Sequence, residues 1–269
     1  MNDAVLPYLR CPNCSSPLHP AAGAGAGSLR CARGHSFDVA RQGYATLIAG
    51  HRPHEGDSAA MVADRAAFLT AGHYAFVADA LADAAPDDGL VLDAGAGTGY
   101  YLARVLDRRP GLAGLGLDVS KPALRRAARA HPRAAAALAD LWRPLPLADG
   151  CAAAVLDVFA PRNAGEFRRV LRPGGALLVV TPAADHLVEL IAAHDLLRVD
   201  PDKAARVEDS LGERFRRESV RTLRRRLTLS AAEVRTLIGM TPSARHVAPD
   251  RVAAADVTVT AAVDLTVYR

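Results

Sequence analysis

The segment 91–101 constrains the fold of this chain more than any other part of its sequence. An apolar run, residues 89–93, has the length and composition of a buried parallel strand and ends in Asp93. Glycine then occupies every second position, as Gly95, Gly97 and Gly99. Glycines let the backbone turn sharply and approach a ligand closely, and a helix starting near Tyr100 presents free N–H groups to it. The segment therefore predicts an open α/β sheet with a ligand at the carboxyl end of its strands.

A second strand-like run, residues 115–118, ends in Asp118, at roughly the ~20-residue distance at which an acid binds ribose hydroxyls. The glycine spacing differs from the Gly-x-Gly-x-x-Gly fingerprint of dinucleotide-binding folds. The pattern resembles the class I S-adenosylmethionine-dependent methyltransferases, whose later landmarks match Asp140 and the Arg-Pro-Gly-Gly run at 172–175. The resemblance implies a Rossmann-like α/β fold with a mostly parallel sheet and S-adenosylmethionine as cofactor. From the residues alone, an NAD-binding unit and a tight turn without a ligand stay open.

Three of the four cysteines lie in the first 31 residues. Cys11 and Cys14 form a Cys-x-x-Cys turn, and Cys31 with His35 forms a second pair. Three thiolates and one imidazole make the tetrahedral ligand set of a structural zinc site. Disulfides are the alternative that a reducing compartment disfavours, and a redox pair lacks its usual βαβ setting. The low-complexity segment 20–28 is expected to connect the two pairs flexibly.

Length and composition bound the class of protein. The chain has 269 residues, half of them apolar, which suffices for a large core and a small additional module. No apolar run approaches the ~20 residues of a membrane span, and residues 1–4 lack signal-peptide features, so we expect a cytoplasmic protein without membrane association. Arginines cluster as Arg30, Arg33 and Arg41 and as Arg221, Arg224, Arg225 and Arg226. Such clusters suit phosphate backbones or are simply solvated faces.

The order of patterns predicts a zinc-binding module at 1–48, a helical linker at 49–84 and a catalytic domain at 85–269. A helix after Ser58 and a second one through Leu81 are expected in the linker, separated by a glycine. Further expected elements are helices at 121–130, 185–197 and 231–238, a helix ending at the Pro-Gly-Gly run 173–175, and strands at 136–139, 153–159, 176–181, 223–229 and 256–268.

Further runs extend the resemblance over nearly the whole chain, at 36–44, 71–74, 159–163 and 181–187. With the cysteine pairs, they resemble the RlmA family of bacterial 23S rRNA guanine-N1 methyltransferases, and most of all its actinomycete branch, which includes tylosin-resistance enzymes of the TlrB type. The resemblance implies methylation of a guanine N1 in a 23S rRNA hairpin loop near the peptide exit tunnel, with macrolide resistance as a consequence. It also implies a homodimer and an RNA-recognition role for the zinc module, whose arginines would contact the RNA backbone.

Site residues follow from the glycine loop and from the family positions. The expected zinc ligands are Cys11, Cys14, Cys31 and His35. The expected cofactor-binding residues are Tyr74, Asp93, Gly95, Gly97, Gly99, Tyr100, Tyr101, Leu102, Asp118, Asp140 and His186. For Tyr74, packing between helices is the competing role, and for His186 a role as a cap or surface residue competes.

Catalysis is expected to come mainly from holding guanine N1 in line with a methyl group that is already reactive. Asp157 is the candidate base for the N1 proton, and an orienting role is the alternative. The run 159–161, Phe-Ala-Pro, departs from the Pro-Pro-Tyr signature of many amino-methylating enzymes. Phe159 or Tyr100 could stack on an unstacked loop base, with core packing as the competing role.

Two other functions fit parts of the sequence. A small-molecule methyltransferase, acting on an antibiotic or a quinone, shares the same cofactor fold but does not account for the cysteine pairs. A non-catalytic module that binds RNA or an antibiotic belongs to a different class, and the complete set Asp93, Gly95, Gly97, Gly99 and Asp118 argues against it.

Overall fold

The computed structural model describes residues 2–21, 27–50, 54–194, 203–241 and 256–269. Three sequence predictions fall partly outside these ranges. They are the flexible connection at 20–28, the beginning of the linker after residue 48, and the end of the helix predicted at 185–197.

The N-terminal module is built on short strands, β1 Leu18–Pro20, β2 Ser28–Cys31, β3 Ser36–Asp38 and β4 Ala45–Thr46. The first three form an antiparallel sheet in the order β1-β2-β3, after a single 3-10 turn at Leu6–Tyr8. Strand β4 does not join them. It pairs in parallel with the edge of the main sheet, where Ala45 lies opposite Ala137. The module is therefore connected by backbone hydrogen bonds to the rest of the molecule.

The main sheet contains β5 Asp88–Ala94, β6 Gly111–Asp118, β7 Ala134–Leu138, β8 Ala152–Val158, β9 Leu171–Pro182, β10 Arg217–Leu229 and β11 Val257–Tyr268. Together with β4 they form one eight-stranded sheet in the order β10-β11-β9-β8-β5-β6-β7-β4. Neighbouring strands from β9 to β4 are parallel, whereas β11 is antiparallel to both of its neighbours. The mostly parallel α/β sheet expected from the sequence is confirmed.

The helices are α1 Ala59–Thr70, α2 Ala75–Ala84, α3 Tyr100–Arg108, α4 Lys121–Ala127, α5 Ala164–Val170, α6 Val188–His194, α7 Lys203–Gly212 and α8 Ala231–Gly239. Side-chain oxygens satisfy free N–H groups at several starts, as the sequence predicted for Ser120 and Ser230. Gly72, with φ 86°, separates α1 from α2 as expected. Helix α4 is three residues shorter than the predicted 121–130.

The Pro-Gly-Gly run does not end a helix, and this prediction was wrong. Helix α5 ends at Val170, and the chain enters β9 directly at Leu171. The pairing of β9 with β8 is irregular here, because Ala152 lies opposite Leu171 while Ala154 lies opposite Ala176. The run is thus an insertion within a strand, and such a bulge tolerates proline because it leaves the regular hydrogen-bond ladder.

Two apolar layers cover the two faces of the sheet. One layer includes α2, α3 and α8. The other contains residues of both the N-terminal module and the catalytic sheet, such as Leu9 and Phe37 together with Leu115 and Leu147. Each fully buried leucine or phenylalanine contributes about 1.5–3 kcal/mol of hydrophobic stabilisation. The module and the sheet therefore share one core.

Strands β10 and β11 continue past the carboxyl end of the parallel strands. Pro182, the last residue of β9, lies opposite Val263, and Val263 lies opposite Leu223. Beyond that level, residues 224–229 pair only with residues 257–262. We call this two-stranded extension the ribbon. Six residues of strand span about 20 Å, so the ribbon borders the edge at which α/β folds bind ligands.

Candidate functional site

The predicted zinc ligands converge on one point in the N-terminal module. The Sγ and Nδ1 atoms of Cys11, Cys14, Cys31 and His35 all lie within 4.8 Å of one another. Each pair of ligands comes from a tight turn, since the N–H of Ser15 donates to the carbonyl of Cys11 and that of Gly34 donates to the carbonyl of Cys31. Such turns direct neighbouring side chains to one centre.

The distances within this cluster fit a zinc ion. Tetrahedral geometry with Zn–S of about 2.3 Å and Zn–N of about 2.0 Å places sulfurs about 3.8 Å apart and sulfur and nitrogen about 3.5 Å apart. In the protein, Cys14 Sγ and Cys31 Sγ are 3.7 Å apart, and His35 Nδ1 lies 3.5 Å from Cys11 Sγ and 3.4 Å from Cys31 Sγ. Because protein atoms fill all four positions, this is the donor set of a structural site.

The glycine loop begins where β5 ends and requires glycine for steric reasons. Gly95, Gly97 and Gly99 have φ of 80°, 53° and 78°, in the left-handed region that favours glycine. A Cβ on Gly95 would lie 2.6 Å from the Cβ of Ala160, too close for any side chain. The loop therefore holds the backbone close to the segment after β8, as a ligand cradle does.

Asp118 closes the loop from the end of β6. Its Oδ2 accepts a hydrogen bond from the N–H of Gly97 at 2.8 Å, and its Oδ1 accepts one from the N–H of Ser120 at 2.8 Å. Burial raises the pKa of Asp118 despite these two donors. Each carboxylate oxygen keeps a second lone pair, which is what binding of ribose hydroxyls requires.

Asp93 lies on the other side of the loop and is buried. It accepts a hydrogen bond from the backbone N–H of Leu102, in the first turn of α3, while its Oδ2 has no hydrogen-bond partner among the described residues. Burial, together with the charge of Asp118, raises the pKa of Asp93 to about 7. An unsatisfied buried carboxylate oxygen beside a glycine cradle fits a ligand that brings a cation or a donor, and S-adenosylmethionine carries both.

The remaining cofactor candidates flank this cradle. Asp140 is buried, contacts Nδ1 of His54 at 3.1 Å and accepts from the N–H of Trp142 at 3.0 Å. Tyr100 and Tyr101 begin α3 with their rings 5.2 Å apart, and Tyr101 is the more buried of the two. The structure brings Asp93, Asp118 and Asp140 to the same carboxyl edge, as the order of their strands predicts.

The sequence analysis missed Arg65. This residue of α1 forms an ion pair with Asp57 at 2.7 Å, donates to the carbonyl of Met240 at 2.8 Å, and lies 3.4 Å from where a Cβ of Gly97 would be. It thus places a positive charge over the glycine loop. No local pattern distinguishes Arg65 from other helix arginines, because its role depends on where α1 packs.

A second group of residues lies at the carboxyl ends of β8 and β9. The hydroxyl of buried Tyr74 lies 3.3 Å from Nε2 of His186, whose Nδ1 lies 2.8 Å from the carbonyl of Ala262. The ring of Phe159 lies 6.4 Å from that of Tyr74 and 6.3 Å from that of His186. Phe159 is 42% exposed and has φ 55°, which is rare for a residue with a side chain. These residues form an aromatic mouth, made of Tyr74, Phe159 and His186, next to the cofactor cradle.

Asp157 is the last but one residue of β8, two positions before Phe159, and is completely buried. Its Oδ1 forms an ion pair with Arg162 at 3.2 Å, an arginine that the sequence analysis did not single out. The same guanidinium lies 3.4 Å from the carbonyl of Ala160. The pair therefore fixes the loop that carries Phe159.

Within the part of the chain that the structure describes, every helix is too short or too polar to cross a membrane.

Two family models match the chain. Residues 9–52 match the zinc-ribbon model described as "RlmA, N-terminal", and residues 91–175 match a model described as "Methyltransferase domain". Among solved structures, the YcgJ protein from Bacillus subtilis is 14% identical, covers 71% of this chain and 96% of its own, and superposes with a TM-score of 0.51. That likeness concerns the fold alone.

Curated relatives match over almost the whole chain. A Micromonospora griseorubida protein, provisionally named as a 23S rRNA (guanine-N(1)-)-methyltransferase, is 56% identical over 100% of this chain and 99% of its own. The 23S rRNA (guanine(748)-N(1))-methyltransferase of Streptomyces fradiae is 49% identical over 94% of this chain and 91% of its own. A Bacillus subtilis relative is 31% identical over 93% of each chain. The chain belongs to the family of bacterial 23S rRNA (guanine-N1)-methyltransferases, with an RlmA-type zinc ribbon and a class I S-adenosylmethionine-dependent methyltransferase domain.

Proposed function

We propose that the protein methylates N1 of a guanine in a hairpin loop of 23S rRNA, near the peptide exit tunnel. The observation that carries the proposal is the 49% identity to the Streptomyces fradiae enzyme over 94% of the chain. The family models that match residues 9–52 and 91–175 add the zinc ribbon and the methyltransferase domain. The aromatic mouth supports it, because a base that leaves its stack can be held between aromatic rings at moderate cost.

Cofactor binding is assigned to the carboxyl edge of β5, β6 and β7. We propose that Asp118 binds the ribose hydroxyls, that Gly95, Gly97 and Gly99 allow the close approach of the cofactor, and that Asp140 lies at its base. The remaining pocket residues are Tyr74, Asp93, Tyr100, Tyr101, Leu102 and His186. When bound, S-adenosylmethionine supplies a sulfonium methyl group that is electrophilic without further activation.

The chain's own contribution to the rate is placement. The exposed ring of Phe159 would hold the guanine so that its N1 faces the transferable methyl group. Methylation at N1 would also require that the N1 proton leave to an acceptor in the protein. Asp157 stays our candidate for receiving that proton. Its ion pair with Arg162 is compatible with a role as proton acceptor and equally suits orientation of the Phe159 loop.

The pH dependence of kcat separates these two roles of Asp157. If Asp157 is the base, Asp157→Asn should remove the acidic limb of the pH–rate profile and lower kcat by about 100-fold or more. If it only orients the loop, the acidic limb should persist and Arg162→Ala should lower kcat/KM to a similar extent.

The experiment that tests the function uses the full-length, zinc-loaded protein, labelled S-adenosylmethionine and a transcript of the 23S rRNA hairpin. We expect label in the RNA, mapped by mass spectrometry to N1 of one loop guanine, and no label when that guanine is replaced by adenine. Label on another atom of the base, or only in small molecules of a cell extract, would refute the proposal.

We further propose that the protein acts as a homodimer in the cytoplasm, where ribosomal RNA is made and assembled. Light scattering at increasing protein concentration measures the first point, and a constant monomer mass would contradict it. Methylation beside the exit tunnel should reduce binding of tylosin-type macrolides. A host made susceptible by deletion of its own enzyme, then expressing this chain, tests that consequence.

A further inference from the structure

Strand β10 carries an unusual concentration of arginine. Among its 13 residues are five arginines and one glutamate, at Glu218. It is an edge strand of the sheet, and within the described chain only β11 pairs with it. Most of its side chains are exposed to solvent. Its second half forms the ribbon that extends past the carboxyl edge.

The two faces of β10 differ in how their arginines are neutralised. Residues on alternate positions point to opposite faces of a strand. On one face, Arg224 forms an ion pair with Asp185 at 2.8 Å. Arg226 lies near Glu189; against the effect of burial, hydrogen bonds from Thr260 and, to a smaller extent, the charge of Arg226 lower the pKa of Glu189. On the other face, Arg221 and Arg225 have no acidic partner among the described residues. Two exposed guanidinium groups thus lie on one face without neutralisation.

This face is continuous with the aromatic mouth. The guanidinium of Arg225 lies over the ring of Phe76, 5.9 Å from its centroid. That ring lies 6.0 Å from the ring of Tyr74, which belongs to the mouth and lies 6.4 Å from Phe159. The opposite strand of the ribbon contributes too, because the carbonyl of Ala262 contacts His186. A contiguous row of rings therefore connects the arginines to the site.

We propose that Arg221 and Arg225 bind phosphates of the RNA strand that flanks the target guanine. The inference rests on the proposed function and names a contact surface for it. Guanidinium groups bind phosphate oxygens through two parallel hydrogen bonds, and a strand whose base has been turned out must be held beside the site. The zinc module joins the other edge of the sheet, because β4 is the edge strand opposite β10. With the module also bound to RNA, the RNA would be contacted on both sides of the mouth.

The competing explanation is that these charges keep an exposed sheet edge from pairing with other molecules. The test compares Arg225→Ala and Arg221→Ala/Arg225→Ala with Arg216→Ala in the full-length protein. Arg216 is exposed and directly precedes β10, about 30 Å along the strand from Arg225, at the amino edge far from the mouth. The control therefore removes the same charge from a position next to the other end of the strand.

Three quantities should be measured: affinity for S-adenosylmethionine, KM for the hairpin RNA, and the dependence of RNA affinity on salt. For the double variant we expect unchanged cofactor affinity, a KM for RNA raised about tenfold, and a slope of log affinity against log salt reduced by about 1 per arginine removed. Arg221→Lys/Arg225→Lys should recover the slope, since lysine keeps the charge. Arg216→Ala should behave like wild type.

Wild-type RNA affinity and salt slope in the double variant would overturn the inference, and new self-association would then identify the edge-protecting role. An equal loss in Arg216→Ala would also overturn it, because net charge alone would then be the cause. Failure of the wild-type protein to methylate any RNA would instead refute the proposed function, so the two failures are distinguishable.

Discussion

Phe159 has a backbone conformation that few residues with a side chain adopt. Its φ of 55° costs about 1 kcal/mol or more, and the ring is still 42% exposed. A residue that only filled the core would be buried and unstrained. The ion pair of Asp157 with Arg162 holds the loop in this shape. We infer that the strained backbone keeps the ring of Phe159 in its position next to Tyr74.

Removal of this ring should reduce RNA use without affecting the cofactor. Stacking of one base on an aromatic side chain contributes about 1–3 kcal/mol, so Phe159→Ala should lower kcat/KM for RNA by about 5- to 150-fold. Phe159→Trp, which retains a stacking surface, is the control and should keep most activity. A lower Tm together with an unchanged kcat/KM would mean that the ring only packs.

The raised pKa of Asp93 predicts how stability depends on pH. Its value of about 7 in the folded protein exceeds the ordinary value of 3.8, so the folded state binds a proton that the unfolded state has released. The associated stabilisation is complete below about pH 4 and is lost as the pH rises through 7. Asp93→Asn cannot ionise and can still accept from the N–H of Leu102.

The stability of Asp93→Asn relative to wild type should therefore increase between pH 5 and 7, by at most about 1.4 kcal/mol per pH unit, and level off above pH 7. Denaturant unfolding without cofactor measures it. A difference that is constant from pH 5 to 8 would contradict the raised pKa.

At the scale of single elements, the turn from β5 to α3 depends on glycine at particular positions. Gly95→Ala combines φ 80° with a Cβ 2.6 Å from Ala160, so we expect cofactor affinity to fall at least about tenfold. Gly150 is the matched control, since it has φ 60° but nothing within 4 Å of a Cβ. Gly150→Ala should cost about 1 kcal/mol of stability and leave cofactor affinity unchanged. Calorimetric titration with S-adenosylmethionine tests both.

Local sequence patterns were sufficient to predict the elements that depend on only a few consecutive residues. The strand ending in Asp93, the helix from Tyr100 and the cap at Ser230 follow from runs of a few residues, and all three are confirmed. The cysteine pairs likewise predicted a cluster that the structure brings together.

What the sequence did not predict depends on packing between distant segments. Arg65 lies over the glycine loop only because α1 packs there, and Arg162 pairs with Asp157 only because the loop after β8 folds back. Strand β10 begins six residues earlier than the predicted 223–229, since pairing with β11 continues through residues without an apolar pattern. The assignment of cofactor and catalytic residues stays a prediction until it is tested by mutation.

At the scale of the whole molecule, the zinc ribbon and the catalytic sheet share one hydrophobic layer. Backbone hydrogen bonds cross between them, from the N–H of Arg10 to the carbonyl of Pro146 and from that of Leu47 to the carbonyl of Leu138. Loss of the metal should therefore destabilise both parts together, because the zinc-binding module cannot unfold without exposing apolar surface of the sheet.

We expect removal of zinc by a chelator, or Cys14→Ser, to lower the midpoint of a single cooperative transition by about 10 °C. Cys151→Ala is the control, since burial raises the pKa of Cys151 to about 11 and its thiol is outside the cluster. It should retain zinc and unfold like wild type. Differential scanning calorimetry with metal analysis measures both. A catalytic-domain transition that stays in place after zinc loss would contradict the shared core.

The pairing of β4 with β7 also fixes the distance between the zinc-binding module and the proposed methyl donor site. Ala45 and Thr46 lie opposite Ala137 and Leu138, and Leu138 is two residues before Asp140. The pairing therefore fixes the position of the zinc-binding module relative to the proposed methyl donor site. If the module binds the stem of a hairpin, only the nucleotide whose distance from the stem equals the distance from module to mouth would reach the mouth. On the proposed function, the enzyme distinguishes one loop guanine from its neighbours by spacing, and lengthening the stem by one base pair should move the methyl group to a different nucleotide.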